Sequence, residues 1–232
     1  MGNYAEQTVG ELVAAKPARA RFFEKIGIDY CCGGKKLLGV ACGEAKRDVV
    51  VVEAALEEFD RVIPSTPQTD WTIAPIEELI DNIIETHHAY LKDELPRLSS
   101  LISKVDSRHR EAHPELNKLL KLYEVFKITL SGHLLSEEQV LFPTIKNLAK
   151  GAQPGTNGEA KSSLGILIKE HDVAGADLRE MRVITNGYIP PSDACNSYRA
   201  MLEGLEAMEK DIHEHIHKEN NILFPRASQL IR

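Results

Sequence analysis

The chain has 232 residues, 43% hydrophobic and 27% charged, enough apolar content for one large core or two small ones. Its formal charge of −7 leaves none of the basic surplus expected of a nucleic-acid binder. No stretch approaches the length of a membrane-spanning helix, and MGNYAEQTVGELVAA has no basic segment ahead of an apolar run, so neither a membrane partner nor a secretory leader is expected. Four cysteines, two of them adjacent, do not make a secreted disulfide framework, and a reducing cytoplasm is the expected location.

The first 62 residues read as a small all-helical domain. Thr8 and Glu11 have capping-box spacing, Pro17 suits the first turn of a second helix, and Asp48 suits the cap of a third. That third helix carries Val52, Ala55, Leu56 and Phe59 at i, i+3, i+4 and i+7. Between the helices lies Asp29-Tyr-Cys-Cys-Gly-Gly-Lys35. Adjacent cysteines make a strained disulfide, so Cys31 and Cys32 read as redox thiols or as transient ligands for a soft metal or an iron-nitrosyl species. Small buried fillers are the plainer alternative. Lys35 and Lys36 are placed to lower a thiol pKa, whereas Cys42 and Cys195 stand alone and read as structural.

IPSTPQTD at 63–70 breaks any helical pattern and serves as a linker. A second domain is expected over 71–232, built from four amphipathic helices. The first opens after Ala74-Pro75 with Ile76, Leu79, Ile80, Ile83 and Ile84. The second starts near Pro114 with Leu116, Leu119, Leu120, Tyr123 and Phe126. A loop at 151–158 precedes the third, which is expected to start at Ser162 or Ser163 with Leu164, Leu167 and Ile168. The fourth follows Pro190-Pro191-Ser192 and carries Tyr198, Met201, Leu202, Leu205, Met208 and Ile212. The fold class is all-α, a four-helix bundle with a small N-terminal helical domain.

The second and fourth helices repeat one phrase. HLLSEEQVLFP (133–143) and HIHKENNILFP (215–225) both fit H-x-x-x-E-x-x-[VI]-L-F-P. Residues four apart share a helix face, so His133 with Glu137, and His215 with Glu219, can point at one object. The first and third helices offer His88 and His171, 45 and 44 residues ahead of His133 and His215. A lone His-x-x-x-Glu is usually an exposed surface pair; its recurrence in register implies a centre. Four imidazoles and two carboxylates exceed what one tetrahedral zinc needs and suit two metal ions bridged by carboxylates, with room for an oxo or hydroxo bridge. Nitrogen and oxygen donors without thiolate favour iron or manganese, and a His-rich set points to iron.

One ligand stays open at this level: helical phase favours His87, whereas the 45/44 symmetry favours His88. His213 and His217 flank His215 and read as solvent-facing or supporting residues. His109 and His113 read as surface residues, and Glu138, Glu170, Asp172 and Asn220 as polar neighbours able to orient a ligand or line an access path.

Taken together, Asp29-Tyr-Cys-Cys-Gly-Gly, Asp70-Trp71 and both repeated segments strongly resemble the Ric (repair of iron centres), or ScdA-like, di-iron proteins over nearly the whole chain. The resemblance implies a hemerythrin-like bundle with a non-haem di-iron centre on His88, His133, Glu137, His171, His215 and Glu219, and so settles the doublet on His88. It implies repair of iron–sulfur clusters damaged by nitric oxide or oxidants, by supplying iron or handling nitric oxide, assisted by the module carrying Cys31 and Cys32. Damaged or apo iron–sulfur proteins would be partners, nitric oxide or oxygen small ligands, and a homodimer stays open. Nitric oxide reduction and gas sensing or carriage are the competing functions. Oxygen carriers of the hemerythrin type have an extra histidine and an H-x-x-x-x-D motif; here Asn220 stands five beyond His215 and Glu219 takes the carboxylate place, which argues against simple oxygen storage.

Overall fold

The computed structural model describes residues 4–62, 69–151 and 157–230. Among them the chain is all-α, with one isolated antiparallel bridge between Thr8 and Leu37. It divides into two compact units, Met1–Ile80 with His213–Arg232, and Asp81–Ile212. Residues 63–68 of the expected linker (63–70) and 152–156 of the expected loop (151–158) lie outside the described residues.

In the first unit, α1 (Val9–Ala15), α2 (Arg19–Ile26), α3 (Leu38–Glu44) and α4 (Val49–Val62) follow in order. Local chemistry sets their ends. The Thr8 hydroxyl accepts from Glu11 N–H while the Glu11 carboxylate accepts from Thr8 N–H, a complete capping box. Asp48 accepts from Val50 N–H at 2.8 Å and opens α4. Pro17 lies just outside α2, whose N-cap is Ala18. Val9, Leu12, Phe22, Phe23, Leu38, Val52 and Leu56 form the unit's core, whereas Ala55, on the expected stripe, is exposed. Arg19 is buried, and its guanidinium grips Asp60 from α2 to α4 at 2.5 Å.

Long helices carry the rest of the chain, and those within Asp81–Ile212 make the second unit. α5 (Ile76–Ile83) passes through a π-turn, Ile84–His88, into α6 (Ala89–His109). α7 (Glu115–Ser136) passes through a π-turn, Glu137–Leu141, into α8 (Phe142–Ala149). α9 (Asn157–Ile184) begins five residues before Ser162, so the turn-forming composition of 151–158 does not keep Asn157 and Gly158 out of the helix. α10 (Asn196–His217) continues through a third π-turn, Lys218–Leu223, into α11 (Phe224–Leu230). Within the second unit α7 packs against α6 and α9. Leu91, Leu95, Leu98, Ile102 and Val105 make the inward stripe of α6, facing Leu119, Tyr123 and Phe126 of α7. Each such side chain contributes about 1.5–3 kcal/mol when fully buried. Tyr123 is held inside because its hydroxyl donates to the Leu95 carbonyl at 3.1 Å.

Two π-turns sit immediately ahead of Phe-Pro, and the helix resumes with the proline in its first turn. A proline has no N–H and its ring crowds the carbonyl four residues back. Widening the preceding turn relieves that crowding without ending the helix.

Candidate metal centre

In the second unit, Glu137 opens the π-turn at the end of α7 and is fully buried. Its two carboxylate oxygens face different imidazoles: Oε1 lies 3.1 Å from His133 Nε2, and Oε2 lies 3.5 Å from His88 Nε2. His171, on α9, brings its Nε2 to 3.0 Å from His133 Nε2. Ligand bonds of about 2.1 Å at right angles put two nitrogens about 3.0 Å apart, so this pair has the spacing of adjacent ligands on one ion. His88, His133 and His171 are each no more than 5% exposed.

The outer ring nitrogens are held from behind. His88 Nδ1 lies 2.8 Å from Glu138 Oε1, and His133 Nδ1 lies 2.7 Å from Glu170 Oε2. A carboxylate at Nδ1 keeps the proton there and turns the Nε2 lone pair inward. Burial works to raise the Glu138 pKa, but hydrogen bonds from Lys92 and His88 outweigh it and hold the carboxylate below its ordinary value.

In the first unit, His215 and Glu219 stand one turn apart across the junction of α10 and its π-turn, both buried, with His215 Nε2 3.3 Å from Glu219 Oε2. Buried His and Glu side chains without thiolate suit a hard or borderline cation such as iron.

The family model described as the hemerythrin HHE cation binding domain matches residues 79–227. A second, of the ScdA N-terminal type and described as a domain of unknown function (DUF542), matches residues 5–60. The chain is 35% identical over 225 residues to the iron-sulfur cluster repair protein YtfE of Musicola paradisiaca (strain Ech703), covering 97% of each chain. It is 36% and 37% identical over 224 residues to the proteins of the same name from Escherichia coli O157:H7 and O81 (strain ED1a), again over 97% of each. The chain belongs to the YtfE family.

The all-α, hemerythrin-like bundle with a small N-terminal helical part, implied by the sequence, is therefore the fold of this YtfE-family chain. Its histidine doublet divides cleanly: His88 faces Glu137, whereas His87 Nδ1 lies 2.9 Å from Asp211 Oδ1. The π-turn explains why phase counting pointed the other way. One extra residue in the turn sets the helix back by about 100°, which moves the next residue, His88, onto the face His87 would have held.

Two flanking expectations change. His217 is buried, not solvent-facing; its Nδ1 lies 3.3 Å from the Tyr30 carbonyl, and burial lowers its pKa to about 4. Lys36 is paired with Glu44 at 2.6 Å. The Cys31 thiol is pushed well above its ordinary range by its hydrogen bond with Cys32, by burial and by Asp29, so the expected lowering is not found there. Cys42 is buried but Cys195 is exposed, with its sulfur 3.3 Å from His109 Nε2. His113 bonds Asp193 and Glu115, consistent with a surface role.

Sequence reasoning missed Asn221. Its side-chain amide donates to the carbonyls of Tyr30 at 3.2 Å and Cys31 at 3.0 Å. Gly10 and Gly34 line it so closely that a Cβ at either would stand 2.7 or 2.5 Å from Asn221 Oδ1. No local signal marks that contact, because its partners are about 190 residues away in the chain.

Proposed function

We propose that this chain repairs iron–sulfur clusters damaged by nitrosative or oxidative stress, and that it does so by donating iron held in the bundle. The observation that carries the reading is the Glu137 carboxylate, one oxygen toward His133 and the other toward His88. A bridging ligand between two cations needs that disposition. His88, His133, Glu137, His171, His215 and Glu219 are the six residues proposed to hold two non-haem irons, with Glu137 and Glu219 as the carboxylates that would be shared and room for an oxo or hydroxo group. Support for joining His215 and Glu219 to the other four comes from the repeated H-x-x-x-E-x-x-[VI]-L-F-P phrase and from a cation-binding family match that runs unbroken from 79 to 227.

When bound there, iron is the cargo delivered to a recipient. The chain's own residues do the rest. Glu138 and Glu170 hold Nδ1 protons on His88 and His133, which keeps both Nε2 atoms available as ligands. Leu141 and Phe142, just beyond Glu137, are both buried, and the Phe142 ring lies 5.5 Å from that of His88, which puts apolar surface beside the ligands. Cys31 and Cys32 are proposed as thiols that receive or pass iron or nitric oxide.

The partners proposed are damaged or apo iron–sulfur proteins, with nitric oxide or oxygen as small ligands, in the cytoplasm. Among the described residues no helix is long and apolar enough to cross a membrane. The proposed domains are 1–62 and 71–232, in keeping with family matches at 5–60 and 79–227. The relatives are repair proteins by name, which supports repair over nitric oxide reduction or gas sensing.

The test is to mix the ferrous-loaded chain, without air, with an iron–sulfur enzyme whose cluster has been destroyed by nitric oxide. Recovery of enzyme activity with matching iron loss from the chain is expected, and Glu137→Leu should abolish most of it. A fully loaded chain that gives up no iron to the recipient rules the reading out.

A further inference from the structure

Asp29, Cys31 and Cys32 form a compact group in the first unit, on the turn between α2 and α3. The Asp29 Oδ1 accepts from the Cys31 N–H at 3.0 Å and lies 3.2 Å from Cys31 Sγ. The two sulfurs are 3.9 Å apart, far beyond a disulfide bond of about 2.05 Å. One ligand atom from each residue lies within 4.8 Å of the others. We propose that these three side chains are a second metal site, distinct from the His/Glu residues of the bundle, which takes one thiophilic divalent cation through a carboxylate oxygen and two thiolates.

The distances fit such an ion. Two thiolates on a tetrahedral cation with bonds of about 2.3 Å stand about 3.8 Å apart, against 3.9 Å here. A thiolate and a carboxylate oxygen on the same ion stand about 3.5 Å apart, against 3.2 Å here. These two pairs need to shift only a few tenths of an ångström, and the third pair, Asp29 with Cys32, lies within 4.8 Å. The turn is built to hold them there. A Cβ on Gly33 would come 3.0 Å from the Asp29 carbonyl oxygen and 3.3 Å from its carboxylate carbon. A Cβ on Gly34 would come 2.5 Å from the Tyr30 carbonyl. The Asn221 amide clamps the same turn from outside through the carbonyls of Tyr30 and Cys31.

Asp29 is exposed and Cys32 half-buried, so the fourth coordination position faces solvent. Three protein ligands with one open position characterise reactive sites, whereas structural sites are closed. Binding breaks two S–H bonds and forms two metal–sulfur bonds; both protons go to water, and no electrons move. The assignment rests on the reading of Cys31 and Cys32 as working thiols and deepens it by adding Asp29 as a third ligand and one open coordination position.

The experiment is an anaerobic titration of the full chain with cobalt(II). Thiolate-to-cobalt charge transfer absorbs in the near ultraviolet, and His/Glu ligands give no such band. One equivalent of that band is expected in the wild type and in Cys42→Ser with Cys195→Ser. Cys31→Ser with Cys32→Ser should remove it while leaving the helical circular dichroism and the bundle's iron content unchanged. Asp29→Asn keeps an oxygen acceptor for the Cys31 N–H but loses the charge, and should weaken cobalt binding at least tenfold. Absence of the band in the wild type, or its survival in the double serine variant, overturns the site, and unchanged affinity in Asp29→Asn overturns Asp29 as a ligand. If no band forms yet cluster repair still requires both cysteines, the metal site fails and the thiol role stands.

Discussion

The Asn221 side-chain amide, two residues beyond Glu219, donates a hydrogen bond to the main-chain carbonyl of Cys31 at 3.0 Å. One side chain thus links the helix that carries a candidate iron ligand to the turn that carries both thiols, within a single compact unit.

That link makes Asn221→Ala informative. It removes two hydrogen bonds, which costs about 1–2 kcal/mol of stability. The larger effect is expected at the thiols. With its clamp gone, the 29–34 turn opens more often, and trapping of Cys31 by a disulfide reagent speeds up several-fold while helicity is retained. A trapping rate equal to that of the wild type would separate Asn221 from the thiol turn.

The carboxylates behind the imidazoles give a graded prediction. Glu138→Gln and Glu170→Gln should each lower iron affinity about 10-fold or more, because Nδ1 then loses its anionic partner. The loss should be larger for Glu138, whose side chain is 22% exposed against 41% for Glu170. Competition with a chelator of known affinity reads both. Equal affinities across wild type and variants would mean that the two carboxylates do not tune the ligands.

Acid stability should depend on Asp60. Burial works to raise its pKa, but the hydrogen bonds and charges of Arg19 and Lys16 win and lower it. A carboxylate with a depressed folded pKa contributes its full stability above the unfolded value near about 3.9. The contribution is lost as pH falls through the lower, folded value. Asp60→Asn should cost about 1–2 kcal/mol at neutral pH, since it leaves the buried Arg19 guanidinium without its anion. It should also flatten the acid limb of a urea-denaturation series. An acid limb as steep as in the wild type would assign acid lability to other groups.

Most of the fold was legible because its signals are local. Thr8 with Glu11, Asp48 before Val49, and the stripes of α5, α7 and α10 depend on neighbours within one or two turns. The pairing of His133 with Glu137 was legible for the same reason, since four residues make one turn. A proline disturbs a helix, but Pro143 and Pro225 do not by themselves give the form of the disturbance, a π-turn through which the helix continues. No proline follows Ile84–His88 at the same spacing, so nothing flagged that turn, and a regular 3.6-residue count slipped by one at His87. Asn221, buried His217 and the Gly10–Gly34 cradle were not legible at all. Their roles come from contacts between distant segments, and no periodicity encodes them.

The central claim is a pair of irons held by histidines and glutamates of the bundle. Iron analysis with a Mössbauer spectrum of anaerobically loaded chain tests it most directly. Two irons per chain are expected, with the spectrum of an oxygen- and nitrogen-ligated, magnetically coupled pair. One iron per chain or none, or two with thiolate-ligated parameters that survive in Glu137→Leu, would contradict it.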